Sequence, residues 1–436
     1  MDSNYNMPPQ DFSSGEALEE QKSRLTRRFI SGILVGFLLS MMVVAGVYIF
    51  FFLGRRMGLS GPSGSLTGSG AGASGELLSD STLKKIRVLE DTIDTYYYKT
   101  DIDKEQEAVG IYKGLMDSLG DPYSVYYTEE ELDELLSDTA GVYYGIGAYV
   151  SMDDDMGMPR ISGVIPGTPA ERAELQIDDI IYLVDDEPTQ GLEVSDVVTM
   201  IKGPEGTKVH LTLLRGSKRE EVEVDVERSA VEVPTVTTKM LGEKEDIGYL
   251  QITEFDEVTP DQFTEGMAEL REKDMKGLII DLRSNPGGSL AAVCDIARQI
   301  LPKGIIVYTV DRDGNRDDYT CDGKREIDIP VVVLVNQYSA SASEILAGAI
   351  KDYQLGKLVG MKTFGKGIVQ RIFDLKDGTA VKLTVSDYYT PAGNNIHGVG
   401  IEPDVEVEYD ADAYSKDKTD NQLEKAIDVM QDMLDN

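Results

Sequence analysis

Hydrophobic and polar positions change their spacing several times along the chain, and each change predicts a different kind of structure. Residues 29–53, FISGILVGFLLSMMVVAGVYIFFFL, carry no charge. As a helix this stretch would span about 37 Å, more than the roughly 30 Å of a bilayer's hydrocarbon core. It predicts a transmembrane helix rather than a cleaved signal peptide, whose apolar run is shorter and is followed by small residues, whereas Gly54, Arg55 and Arg56 follow here. Lys22, Arg24, Arg27 and Arg28 precede the stretch, so the positive-inside rule places residues 1–28 in the cytoplasm and the rest outside it. Residues 54–75 are dominated by Gly and Ser and read as a flexible tether of about 20–25 Å.

Between residues 76 and 140 the apolar positions fall at helical spacing: Leu83, Ile86, Leu89 and Ile93, then Val109, Tyr112, Leu115 and Met116, with a break at Asp121-Pro122. This helical region suits packing against the main body, or contact with a second copy in a homodimer; the first is the plainer reading. From residue 141 to 229 the pattern alternates in short strands (GIGAYVSM, RISGVI, DIIYLVDD, KVHLTLLRG) with one helix, EVSDVVTMIKG, predicting a compact β-rich module. Across residues 230–410 continuous apolar runs are followed by helices, as in GLIIDLRSNPGG before SLAAVCDIARQIL and IPVVVLVNQYSA before SASEILAGAIKD. Such runs predict parallel strands covered on both faces. Residues 411–436 form a helical C-terminal tail. The whole is mixed α/β, a single transmembrane helix with a β-rich module inserted before an α/β core.

Composition narrows the function. Against 42 Lys+Arg stand 78 Asp+Glu, a net charge of −36, which repels nucleic acid. Cys294 and Cys321 allow one disulfide at most and lack paired metal-ligand spacing, so neither a disulfide framework nor a zinc site is expected, and no cofactor is called for.

In a parallel sheet, sites lie beyond the carboxyl ends of the strands, where RSNPGG (283–288) and SASASE (339–344) both fall. Ser341 and Glu344 fit the S-x-x-E capping box, a purely structural use. Two further segments favour chemistry. Gly287 or Gly288, with the amide of Ala342, offers donors for an oxyanion hole. In TFGKGIVQ (363–370), Lys366 stands between glycines, and alternation puts it on one face with Ile368 and Gln370. A lysine whose pKa is lowered by burial serves as a general base, so neither His210 nor His397 is required.

DLRSNPGG, SASASEILAGAIKD, TFGKGIVQ and GVGIEPD, in that order and with 25 residues from Ser341 to Lys366, resemble the C-terminal processing peptidases, or tail-specific proteases, serine proteases with a Ser/Lys dyad. The resemblance covers residues 76–405. It implies that Ser341 is the nucleophile, Lys366 its base and Gln370 the residue that orients the lysine. It also puts Asp352 at the position of an aspartate sometimes added to the relay, although eleven residues along a helix is about 16 Å, too far for direct contact. His397 is expected to be an ordinary loop histidine.

Residues 141–229 resemble a PDZ domain. The loop Gly145-Ile146-Gly147-Ala148 offers successive amides for a free C-terminal carboxylate, and Val194, Val197, Val198 and Ile201 recur at helical spacing as core or pocket wall. Glu174 departs from the family, which usually has glycine there; positive φ at that position would cost about 1–2 kcal/mol. The sequence therefore predicts a membrane-anchored, extracytoplasmic serine endopeptidase that reads protein C-termini. The rival is a noncatalytic PDZ adaptor on a degenerate protease scaffold, which the presence of Ser341, Lys366 and Gln370 disfavours.

Overall fold

A computed structural model of the chain describes residues 77–153 and 155–435. The uncharged stretch 29–53 and the tether lie outside the described residues, and among those described no helix is long and apolar enough to cross a membrane. The chain divides into two units, Met1–Thr100 and Asp101–Asn436. In the first, helix α1 (Asp80–Tyr96) starts at Ser79, whose hydroxyl accepts the Thr82 N–H at 3.3 Å.

The second unit opens with α2 (Lys104–Asp117), β1 (Val125–Tyr127) and α3 (Glu129–Ala140). Helix α3 is started by a Thr128/Glu131 capping box and stopped by Gly141 at φ 66°, a left-handed C-cap. The β-rich module follows: β2 (Val142–Gly145), β3 (Ala148–Asp153), β4 (Met158–Val164), α4 (Pro169–Arg172), β5 (Ile180–Val184), β6 (Glu187–Pro188), α5 (Val194–Ile201), β7 (Lys208–Arg215), β8 (Glu220–Glu227) and β9 (Ser229–Glu232). Its antiparallel sheet runs in the order β3-β4-β5-β7-β8, with β6 paired to β5, so β3 is an edge strand. Strand β2 pairs with β9, which brings the module's entry and exit together. Glu174 takes φ 55°, the left-handed backbone anticipated at a glycine position, and Arg215 Nη2 donates to its carbonyl at 3.0 Å.

The larger domain comprises β10 (Val236–Leu241), β11 (Ile247–Ile252), α6 (Thr259–Glu272), β12 (Gly277–Asp281), α7 (Leu290–Ala297), β13 (Gly304–Asp311), β14 (Arg316–Cys321), β15 (Val331–Val335), α8 (Ala342–Asp352), β16 (Gly356–Gly360), β17 (Ile368–Asp374), β18 (Ala380–Tyr389), β19 (Val405–Glu406), α9 (Ala411–Asp417) and α10 (Asn421–Leu434). The main sheet runs β10-β11-β12-β15-β16-β19, parallel from β11 onward. Strand β15 shows why its sequence is apolar throughout. Val331, Val333 and Val335 enter a core shared with α6, α7 and α8, while Val332 and Leu334 meet Ala426 and Met430 of α10 on the other face. A second sheet, β1-β18-β13-β14 with β17 paired to β18, carries the β17/β18 hairpin. Strand β1, absent from the sequence reading, ties the segment between α2 and α3 to β18 through the register Val125↔Lys382.

Helix α10 is held at its start by Arg283, whose Nη2 lies 2.6 Å from Asp281 and 2.8 Å from Asp420, the N-cap of α10. Asp281 is buried and also accepts the Tyr249 hydroxyl at 2.8 Å. Replacing Arg283 by Met strands the Asp281 carboxylate without its counter-charge. The Arg283→Met variant is expected to lose about 3–5 kcal/mol of stability, read as a lower urea midpoint; an unchanged midpoint would show that α10 is held by its apolar face alone.

Candidate active site

Strands β12 and β15 are parallel neighbours, so the turns leaving their carboxyl ends lie side by side. Asn285 stitches them together. Its Nδ2 donates to the Ile252 carbonyl at 2.9 Å, its Oδ1 accepts the Gly287 N–H at 2.8 Å, and its carbonyl accepts the Ala340 N–H and the Ser343 hydroxyl, each at 3.0 Å. The three serines of SASAS thereby separate. Ser339 is buried with its hydroxyl donating to the Leu282 carbonyl at 2.7 Å, and Ser343 is buried on Asn285. Of the three, Ser341 alone lines the adjoining cavity of about 440 Å³, at φ 54° and ψ −112°. Such a backbone costs a non-glycine residue on the order of 1–3 kcal/mol, and strain of this kind gathers at functional sites.

Glu344, wholly buried, holds this turn to the one bearing Lys366. Its Oε2 accepts the N–H of Ser341 at 3.0 Å and that of Lys366 at 2.8 Å; its Oε1 accepts the Gly365 N–H at 2.8 Å and the Thr363 hydroxyl at 2.5 Å. The glutamate arm of the predicted capping box is in place, and the same carboxylate also joins the second loop. Thr363 Oγ1 in turn accepts the Ile401 N–H at 2.7 Å, drawing in the GVGIEPD segment.

Lys366 lines the cavity with its Nζ 4.4 Å from the centre of the Tyr123 ring, a cation–π distance. Burial depresses its pKa below the usual amine value, Lys382 adds to the depression, and Asp121 opposes it. Among the described residues no hydrogen bond joins Lys366 Nζ to Ser341 or Gln370. Gln370 faces the same cavity, its Nε2 donating to Thr384 Oγ1 at 3.4 Å. Of the two glycines, Gly287 has its amide occupied by Asn285, which withdraws it from the donors proposed on sequence. The amides of Gly288 and Ala342 have no partner among the described residues, and both residues line the cavity. Gly287 is nonetheless indispensable where it stands: at φ 113°, a Cβ there would lie 2.8 Å from Ser341 Cβ and 3.0 Å from the Ala342 nitrogen.

Asp352 is not brought to this cavity. It closes the far end of α8, accepting the Ala392 N–H at 2.8 Å. His397 is exposed, its N–H on Asn395 Oδ1 at 2.8 Å. His210 pairs with Asp225 at 2.8 Å on the exposed side of β7, and that hydrogen bond raises its pKa. Sequence reasoning missed Tyr123 and Asn285, which sit in turn-forming segments with no chemical signature of their own, and saw in Glu344 only a cap.

In the β-rich module a groove of about 220 Å³ lies between β3 and α5, lined by Gly145, Ile146, Gly147 and Ala148 at one end and by Val198, Ile201 and Lys202 along the helix. Val197 is core and Val194 is not in the lining, so the helical valines divide between the two roles weighed for them. No hydrogen bond among the described residues uses the Ile146 or Gly147 N–H. Gly147, at φ 84°, has no room for a Cβ, which would meet Thr168 at 2.3 Å.

A parallel-sheet domain with serine and lysine at one cavity, joined to a β module with an open groove, defines a PDZ-bearing serine peptidase. Residues 246–407 match the model of peptidase family S41 and residues 160–215 that of the PDZ domain. The chain is 35% identical over 338 residues to a carboxyl-terminal-processing protease of Synechocystis sp., covering 77% of this chain and 79% of that protein. It is 36% identical over 331 residues to the carboxy-terminal processing protease CtpA of Bacillus subtilis, covering 76% and 70%. Among solved structures, the photosystem II D1 C-terminal processing protease aligns at 31% identity over 74% of this chain and 86% of that one, with a TM-score of 0.43. The chain belongs to the carboxyl-terminal processing proteases of peptidase family S41, and is a serine-type peptidase.

Replacing Glu344 by Gln puts an amide N–H₂ against at least one of the four donors. Glu344→Gln is expected to lose about 3 kcal/mol of stability in urea denaturation and to lower kcat/KM at temperatures where it remains folded. A variant matching wild type in both would show that the two turns are held by other contacts.

Proposed function

We propose that Ser341 is the nucleophile and Lys366 the general base of a membrane-anchored endopeptidase that acts outside the cytoplasm and takes its substrates by their C-terminal tails. The observation that carries this reading is the sorting of the three serines: two hydroxyls are spent on buried carbonyls, and the third opens onto the cavity that holds a half-buried lysine. Ser341 Oγ attacks the scissile carbonyl while neutral Lys366 takes its proton; the negative oxygen falls to the Gly288 and Ala342 amides. The ammonium then returns the proton to the departing amine, leaving an acyl-enzyme. Water, deprotonated by the same lysine, releases the acyl group and restores Ser341. With its Nε2 on Thr384, Gln370 has Oε1 left to accept from the lysine and orient it. Tyr388, whose hydroxyl donates to the Ser341 carbonyl at 3.1 Å, steadies the turn. No step calls for a metal or an organic cofactor.

Support for tail reading is the groove itself: the Ile146 and Gly147 amides in its lining, an edge strand for the peptide to pair with, and an apolar wall from Val198 and Ile201. The uncharged stretch 29–53 and its basic N-terminal flank support the anchor and its orientation.

Two tests follow. Ser341→Ala, Lys366→Ala and Lys366→Arg are each expected to lower kcat/KM by about 10³-fold or more, arginine failing because it keeps its proton at any usable pH. Because burial lowers the pKa of Lys366, the wild-type rate should rise with pH as the amine loses its proton and level off below the 10.5 of a free lysine. Substantial turnover by Lys366→Arg would end the assignment. Amidating a peptide's C-terminus is expected to weaken its processing by about 10- to 100-fold, the worth of hydrogen bonds to a charged group; equal cleavage of acid and amide forms would remove the groove from substrate recognition.

A further inference from the structure

One wall of the active-site cavity carries a carboxylate that the mechanism does not use. Asp256 is only 5% exposed yet lines the cavity, and among the described residues no hydrogen bond or cation reaches its carboxylate. Its backbone is fixed: the Asp256 N–H donates to Thr259 Oγ1 at 2.9 Å. The preceding Phe255 pairs with the Gly287–Ser289 segment through bonds of 2.8 and 2.7 Å. Asp256 is therefore one residue removed from the backbone that offers the Gly288 amide. Gly141 presses on it from the end of α3, where a Cβ would fall 2.8 Å from Asp256 Cβ.

Two further acids act on it, Glu254 on its own segment and Asp138 on α3, whereas Lys366 and Lys382 line the same cavity from the loop before β17 and from β18. The three acids are not grouped to hold a metal ion, among the described residues. A buried carboxylate without a partner is costly and, with two like charges beside it, costlier. What would relieve it is a single cation on a stem long enough to pass the rim and reach in, delivered by whatever occupies the cavity.

We propose that Asp256, flanked by Glu254 and Asp138, is a specificity determinant that selects polypeptides carrying a lysine or arginine side chain beside the scissile bond. The inference rests on the reading that the Ser341/Lys366 cavity is where the peptide bond is cut, and it names the substrate class of that site. It accounts for the asymmetry of the cavity. Lys382 repels a basic side chain and the three acids attract it, so a bound peptide is favoured in the orientation that brings its cation to Asp256.

The charges facing Asp256 also set a pH dependence. Burial, Glu254 and Asp138 together hold its pKa up to about 7, so the attraction for a cation strengthens as pH rises through neutrality. The rate with any substrate also rises with deprotonation of Lys366. The ratio of rates for two substrates differing only in one charge removes that common factor.

The experiment uses the full chain and a peptide series in which each position flanking the cut carries lysine, its uncharged near-isostere norleucine, or glutamate. At one position, kcat/KM for lysine over norleucine is expected to be about tenfold or more above pH 8, to shrink toward unity below pH 6, and to be lowest for glutamate. Asp256→Asn should flatten that ratio across the whole pH range. A stability readout checks that the variant folds. The wild-type acid releases its proton more readily when unfolded, so wild type loses stability from about pH 4 up to about pH 7. The asparagine chain has no such loss and should have the higher Tm at pH 8. A wild-type ratio near unity at every position, or an undiminished ratio in a folded Asp256→Asn, overturns the proposal. If Asp256→Asn does not fold, the lysine, norleucine and glutamate order in wild type still decides. Should no peptide be cut at all, the Ser341/Lys366 reading fails; binding of the same peptides to the wild-type chain, judged by the same ratio, then decides the acid wall separately.

Discussion

The site hangs on one buried carboxylate. Four donors from two loops converge on Glu344, and three of them are backbone N–H groups of Ser341, Gly365 and Lys366. Buried amides left without acceptors cost more than a hydrogen bond returns, so the two loops have little freedom to separate. Since β15 and β16 are adjacent parallel strands, their carboxyl ends already deliver the loops to the same edge of the sheet. Glu344 converts that proximity into a fixed spacing. The relation of the proposed nucleophile to its proposed base is thus written into main-chain geometry, and only the last few bonds of the lysine side chain remain free to move.

That rigidity explains how Ser341 can sit at φ 54°. Its N–H is held by Glu344, its carbonyl by Tyr388, and the space beside its Cβ is emptied by Gly287. The surroundings over-determine a conformation that the residue would not choose, and the consequence is a serine that starts a helix and still lines the cavity. Two of the neighbouring titratable groups then respond to a single cause in opposite directions. Withdrawal from water disfavours charge, which lowers the pKa of Lys366 and raises that of Asp256. An amine that loses its proton more readily and an acid that keeps its proton longer are two results of enclosing one cavity.

Much of this was legible in the sequence because the signals were short-range. The apolar runs at 277–282 and 331–335 announced two-sided burial, SASASE and TFGKG announced strand-to-loop turns, and GIGAYV announced an amide-bearing loop at the start of an edge strand. The groove loop follows from the last of these, whereas the choice of Ser341 among three serines, and of Lys366 as its base, came from the family resemblance. What was not legible depends on residues far apart in the chain. Tyr123 reaches Lys366 because β1 pairs with β18, a register set over roughly 260 positions, and YSVYY is too short a run to declare itself a strand beside two helices. Asn285 looked like any turn residue, yet its side chain takes the Gly287 amide that sequence reasoning had offered to the oxyanion. The helix α10, read as a tail, covers the second face of the sheet because Arg283 meets Asp420 across 137 positions.

The PDZ domain and the cavity impose different demands on one substrate. In the proposed reading, the groove takes the last residues of a chain through their backbone and free carboxylate, a form of recognition that tolerates many sequences. The bond to be cut must then lie N-terminal to the captured tail, at a distance the chain spans at about 3.3 Å per extended residue. Because β2 and β9 bring the module's two ends together, its placement relative to the cavity rests on one narrow ribbon. Tail capture alone therefore fixes which chain is cut far better than it fixes where. In that reading the site of cleavage is chosen at the cavity, by the acids and lysines that line it.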